Sequence, residues 1–187
     1  MSTTANVAVL VGSLRRASLN RKMANALVAM APPALALGIV EIGQLPLYNE
    51  DWEAEAPASV REFRQSVAAA GAVLFVTPEY NRSVPGLLKN ALDVGSRPYS
   101  KSVWSGKPGA VISVSPGALG GFGANHNLRQ SMVSLDVPML QMPEAYIGNA
   151  AAMFDDKGEL TNDSTREFMR KFLLAFAQWI ERTARRS

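Results

Sequence analysis

The sequence has no cysteine and a single histidine, His126. Without cysteine there are no disulfides, thiolate nucleophiles, CxxC redox pairs or cysteine-held zinc or iron–sulfur sites. One histidine excludes a multi-histidine metal centre, so no metal site is expected. Long apolar runs are missing too: none approaches the roughly 18–20 residues that span a bilayer. The first six residues, Met1-Ser2-Thr3-Thr4-Ala5-Asn6, lack the basic start and apolar stretch of a signal peptide. A cytoplasmic location without a membrane partner is the expectation. The chain also lacks a strong charge of one sign. Its formal net charge is +3, and Arg182, Arg185 and Arg186 near the C-terminus account for it. The rest is neutral, with no basic stripe of the kind that binds nucleic acid. Residues 183–187 read as a basic, frayed tail.

What is present is a chain of 187 residues, 48% of them apolar, enough for one domain over residues 1–187. Strand-like and helix-like patterns alternate along it. Val7-Ala8-Val9-Leu10-Val11, Ala72-Val73-Leu74-Phe75-Val76 and Ala110-Val111-Ile112-Ser113-Val114 are short apolar runs, as expected of strands buried on both faces. Residues 37–42 and 139–142 read as two further strands. Helical periods run from Asn20 to Met30, through Val60, Phe63, Val67 and Ala70, from Pro85 to Val94, and from Asn125 to Leu135. Phe168, Phe172, Phe176 and Ile180 recur every four residues, the apolar stripe of a last amphipathic helix. This alternation predicts a doubly wound α/β fold with a parallel sheet, whose ligand sits beyond the carboxyl ends of the strands. The loops after the first, third and fourth strands are therefore where chemistry is sought.

The first loop reads Gly12-Ser13-Leu14-Arg15-Arg16-Ala17-Ser18-Leu19-Asn20-Arg21. It enters a helix, and a helix N-terminus offers free N–H groups and partial positive charge to an anion. It is neither a Walker A loop nor a GxGxxG loop, since the required later glycines and Gly-Lys-Ser/Thr are missing. A single terminal phosphate held by hydroxyls and amides remains, against the alternative that Ser18 and Asn20 merely cap the helix. The second loop, Thr77-Pro78-Glu79-Tyr80-Asn81-Arg82-Ser83-Val84-Pro85-Gly86, offers a stiff edge for a flat heteroaromatic ring, or else an ordinary strand–helix connector. The third, Ser115-Pro116-Gly117-Ala118-Leu119-Gly120-Gly121-Phe122-Gly123, permits close backbone approach to a ligand, or is simply flexible. His126 follows it as a cap, surface or functional residue. Without a GxSxG elbow, a serine-hydrolase role for it is not supported.

Taken together, these loops with Leu45-Pro46-Leu47-Tyr48-Asn49, Val84-Pro85-Gly86-Leu87-Leu88-Lys89-Asn90-Ala91, Gly106-Lys107-Pro108 and Leu128-Arg129-Gln130 closely resemble the NADPH-dependent FMN reductase family. The likeness is to its bacterial chromate and quinone reductase branch and covers about residues 5–182. It implies a flavodoxin-like three-layer α/β/α sandwich with a five-stranded parallel sheet in the order 2-1-3-4-5. It implies FMN as cofactor and NADPH or NADH as electron donor. Quinones, flavins, azo compounds or chromate would be reduced by a ping-pong mechanism. By this resemblance Ser13, Arg15, Ser18, Leu19 and Asn20 hold the FMN phosphate end. Pro78, Glu79, Tyr80 and Asn81 border the ring, and Ser115 with Gly117 closes its other side. Arg97, Gly120 and Gly121 are candidates for lining the nicotinamide or acceptor pocket. No side chain is assigned as catalytic, because the cofactor carries the chemistry.

Members of this kind are homodimers or homotetramers. The last helix, the Trp104 region and residues 141–146 are candidate interfaces; Arg129 and Glu144 are a candidate pair across subunits or, as the commoner case, surface charges. The alternative is an FMN-binding electron-carrier flavodoxin without direct nicotinamide chemistry. Such carriers tend to be acidic for docking, and a pI of about 9.4 argues against one.

Overall fold

The computed structural model describes residues 4–184. Five strands, β1 (Ala5–Val11), β2 (Leu35–Val40), β3 (Ala72–Thr77), β4 (Gly109–Val114) and β5 (Ala145–Ile147), form one parallel sheet in the order β2-β1-β3-β4-β5. Val7 pairs with Ala72, Val73 with Gly109, and Ile112 with Ala145. Every residue of β3 and β4 is buried. Strands buried on both faces need helices on both faces, and they have them. Helices α2 (Ala58–Ala68), α3 (Gly86–Gly95) and α4 (Phe122–Ser134) cover one face, where Leu10, Phe75 and Val111 meet Phe63, Leu88 and Met132. Helices α1 (Leu19–Ala29) and α5 (Asp163–Ala184) cover the other, where Val9, Leu74 and Ile112 meet Met23, Leu27, Phe172 and Phe176. This is the flavodoxin-like sandwich and strand order expected from the sequence. The chain leaves β1 toward one side and β3 toward the other, so a crevice opens at their carboxyl ends.

Four expectations change. Residues 139–142 are not the fifth strand, although they do run beside β4. Met139 makes one parallel bridge with Gly109, and Leu140 N donates to Gly109 O at 2.7 Å. Residues 141–144 then leave the ladder, where Pro143 has no N–H to give it, and pairing resumes at Ala145. Helix α4 starts at Phe122 rather than Asn125, because Gly121, at φ +77°, turns the chain into the helix one turn earlier. Strand β2 ends at Val40, two residues early. Helix α5 continues through residues 183 and 184, which were expected to fray. Residues 185–187, with the remaining basic residues Arg185 and Arg186, lie outside the described residues, as do residues 1–3.

The Trp104 side chain belongs to the core of its own chain. It is fully buried, its Nε1 donates to Leu92 O at 2.9 Å, and its ring lies 6.1 Å from those of Phe63 and Phe75. The pocket for it exists because Gly95 has no side chain: a Cβ there would stand 2.5 Å from the indole. The apolar stripe of α5 is also internal, with Phe172 and Phe176 buried and Trp179 Nε1 donating to Pro138 O at 2.8 Å.

Gly95→Ala sets helix propensity, worth about 1 kcal/mol in favour of alanine, against overpacking, which costs about 1–3 kcal/mol. With a rigid buried indole in the way, overpacking wins. The urea midpoint is expected to fall with the slope unchanged; a midpoint at or above wild type would contradict the packing described for Trp104.

Candidate functional site

Three loops meet at the carboxyl ends of β1, β3 and β4. In the first, Ser13, Ser18 and Asn20 are buried while Leu14, Arg15 and Arg16 are exposed. Leu19 is half-buried between Ser18 and Asn20. Ser18 does cap α1: its Oγ accepts from Arg21 N at 3.2 Å. Asn20 does something else. Its Nδ2 donates across to Val114 O at the end of β4, at 3.2 Å, and its buried Oδ1 has no protein partner. The backbone N–H groups of Ser13, Leu14, Arg15, Arg16 and Ala17 donate to no protein acceptor. A run of free amides leading into a helix N-terminus can hold an anion. Neither Arg15 nor Arg16 makes an ion pair among the described residues, so both charges are available to it.

The second loop packs hard against the first. Gly12 N donates to Val76 O at 2.9 Å, and a Cβ on Gly12 would lie 3.1 Å from Thr77 Oγ1 and 3.2 Å from Pro78 Cδ. After Pro78 and Glu79 comes a tight turn in which Tyr80 and Ser83 exchange both backbone hydrogen bonds at 3.0 Å. Its central residues, Asn81 and Arg82, sit at φ +50° and +65°. That is the geometry of a type I′ turn, which glycine and asparagine adopt easily and arginine does not. Tyr80 and Asn81 are exposed at its tip.

The third loop is pinned rather than flexible. Ser115 Oγ accepts from Gly117 N at 3.1 Å, Ser115 N donates to Ile147 O at 2.9 Å, and Asn149 N donates to Gly117 O at 3.2 Å. Gly120, at φ +61°, presses on the Tyr146 backbone, where a Cβ would stand 2.6 Å from the carbonyl carbon. Gly121 fits against Ser113 in the same way. The structure thus brings Ser13, Ser18, Asn20, Pro78, Glu79, Tyr80, Asn81, Ser115, Gly117, Gly120 and Gly121 to one end of the sheet. It does not bring Arg97 there. Arg97 lies past the C-terminal end of α3, the end opposite the second loop, with its guanidinium 6.0 Å from the Tyr48 ring.

Residues 5–152 match the sequence model of the NADPH-dependent FMN reductase family. The chain belongs to that family. It is 65% identical over 182 residues to a quinone reductase of Pseudomonas putida, covering 97% of each chain. It is 45% identical over 174 residues to a 2-hydroxy-1,4-benzoquinone reductase of a Burkholderia species, covering 93% of this chain and 95% of the relative. Among solved structures it is similar to FerB, a flavoenzyme NAD(P)H:(acceptor) oxidoreductase from Paracoccus denitrificans. The TM-score there is 0.91 at 43% identity, covering 96% of this chain and 99% of that one. The family membership expected from the sequence holds, and with it FMN as cofactor and a reduced nicotinamide as donor.

Some polar machinery escaped the sequence reading. Asn125 is wholly buried, its Nδ2 within 3.3 Å of both Ser113 Oγ and Ala145 O. Its Oδ1 accepts from Arg129 Nε at 3.1 Å, and Arg129 Nη1 donates to Leu140 O at 2.9 Å. This chain of bonds ties α4 to the end of the sheet. In the sequence Asn125 is one of three polar residues between the core positions Ala124 and Leu128, and nothing local marks it as the buried one. Arg129 was a candidate partner of Glu144 across subunits. It is hydrogen-bonded to Asn125 and Leu140 of its own chain, and burial lowers its pKa, an effect that the nearby Tyr146 and Glu144 of the same chain oppose. Next to this network Phe122, His126 and Tyr146 form an aromatic group, with Phe122 and His126 centroids 4.2 Å apart. His126 Nε2 and Tyr146 Oη are 2.9 Å apart.

Burial, aided by the hydrogen bond and charge of Glu144, pushes the Tyr146 hydroxyl up to about 12 from the usual 10.0. A group whose proton is held more tightly in the folded state stabilises that state below its unfolded value. The contribution is lost as pH rises from 10.0 toward about 12. In a difference titration of wild type against Tyr146→Phe, the missing phenolate signal is expected near the upper value. A signal at the ordinary tyrosine value would mean that Tyr146 is neither buried nor bonded as described.

Proposed function

We propose that this chain is an FMN-dependent NAD(P)H oxidoreductase that reduces quinones. The observation that carries the reading is the row of unpartnered amides at residues 13–17, set beside two rigid loops at the reversal point of the sheet. A terminal phosphate answers those amides, with Ser13, Ser18 and Leu19 beside it and Arg15 supplying charge. Asn20 bridges to β4 and keeps one acceptor for a hydroxyl of the cofactor's sugar chain. Pro78, Tyr80 and Asn81 border one side of the ring, and Ser115 and Gly117 the other. Gly120 and Gly121 line the space where nicotinamide and acceptor enter. FMN, when bound there, supplies the redox chemistry that a chain without cysteine cannot.

What the chain does is position. The strained turn at Asn81 and Arg82 and the pinned glycines hold their backbone groups in place before any ligand arrives, so little ordering remains for the binding step. Both substrates use one open cleft in turn, which makes the cycle ping-pong. Free flavins, azo compounds and chromate are further acceptors on this reading. A cytoplasmic homodimer or homotetramer, each subunit one domain, completes the reading. An electron-carrier role is disfavoured because the chain is basic overall rather than acidic.

Initial rates with FMN-loaded protein, varying NADPH at several fixed concentrations of a benzoquinone, are expected to give parallel double-reciprocal lines. Intersecting lines would replace the ping-pong cycle with a ternary complex, and absence of quinone reduction would overturn the function. Replacing Ser18 and Asn20 together by alanine removes a cap and a bridge and is expected to weaken FMN binding by roughly tenfold or more. Unchanged affinity by equilibrium dialysis would contradict the phosphate assignment.

A further inference from the structure

The geometry points to Glu79 as a positioning residue, a latch that sets the gap between the second and third loops, rather than as a ligand of the cofactor. The inference rests on the FMN reading of that gap. Helix α4 has no cap of its own: the residue before it is Gly121, which has no side chain to offer. Glu79 supplies the missing acceptor from the other wall. Its Oε2 accepts from Ala124 N at 3.1 Å, and its Oε1 accepts from Arg82 Nη1 at 3.3 Å. The Glu79 side chain is largely buried, at 14% exposure, and both oxygens have partners within the chain, Oε2 against the helix and Oε1 with the exposed Arg82. A negative charge against the first turn of a helix also meets the positive end of the helix dipole.

The surroundings are shaped for this contact. A Cβ on Gly123 would lie 2.9 Å from Glu79 Oε2 and 2.9 Å from Arg82 O. Only glycine there lets the carboxylate reach the helix. A second bond, Ser83 Oγ to Asn127 Oδ1 at 2.9 Å, runs parallel to the first. The left-handed Asn81 and Arg82 therefore sit in a turn held at both shoulders against α4. Release of the Glu79 bond frees the strained turn and uncaps the helix at once. A flat ring between the loops would then lose the fixed width of its slot.

The test uses Glu79→Ala, Glu79→Gln and Gly123→Ala in the full-length protein. In flavin-free protein, Glu79→Ala is expected to speed hydrogen exchange at the Ala124 amide by about tenfold while the β3 amides stay protected. FMN affinity by fluorescence titration is expected to fall by about tenfold. Glu79→Gln keeps an oxygen for Ala124 N and is expected to restore both. Gly123→Ala leaves Glu79 in place but pushes the latch open, so it reproduces the alanine phenotype and stands in if Glu79→Ala fails to fold. A Glu79→Gln variant as impaired in FMN binding as Glu79→Ala, with the Ala124 amide still protected, would make the charge a direct ligand and overturn the latch. Unchanged exchange and affinity in Glu79→Ala would overturn it as well. If wild type itself binds no FMN, the functional reading fails, whereas the exchange result still judges the Glu79–Ala124 bond on its own.

Discussion

The structure depends on β1, β3 and β4 being buried on both faces. Strands in that position have no polar side, so the chain must cover them with helices above and below. To do so it reverses direction between β1 and β3. The reversal leaves a crevice at the carboxyl ends of the strands, and helix α1 points its unsatisfied N-terminus into that region. A run of free amides and a crevice beside it are thus by-products of packing a parallel sheet. The residues that make the site specific are few, and most act through backbone.

Close packing explains why loops so rich in glycine and proline are not loose. Gly12 lets the first loop touch Thr77 and Pro78. Gly120 and Gly121 let the third loop lie on β5 and β4. Gly123 leaves room for the Glu79 carboxylate against α4. Each is a place where a side chain would force two segments apart. The polar chain from Ser113 through Asn125 to Arg129 then fixes α4 to the sheet from below. The three loops are thus held against one another and against the sheet by contacts within the chain.

The central strands could be read from the sequence because a run such as Ala72-Val73-Leu74-Phe75-Val76 admits few other fates. So could the three loops, since they follow from where those strands end. Strand β5 could not, because Ala145-Tyr146-Ile147 is too short for a period and the apolar Met139-Leu140 beside it drew the assignment. Trp104 lies in a stretch of serine, glycine and lysine that reads as surface, and nothing in that stretch shows that Gly95 makes a pocket for it. The place of Arg97, beyond the C-terminal end of α3 and beside Tyr48, is set by the length of that helix and carries no local mark in the sequence. The partner of Glu79 was out of reach of local reasoning. Ala124 is 45 residues away, and its amide carries no mark in the sequence. Elements that follow from a local pattern are legible in the sequence; contacts made across space are not.

The most direct test of the account is a single anaerobic experiment on the purified protein loaded with FMN and desalted. The visible flavin band is expected to stay with the protein, to bleach on adding NADPH, and to return when a benzoquinone follows. A flavin that washes away would contradict the site, and a bound flavin that NADPH leaves oxidised would contradict the reductase.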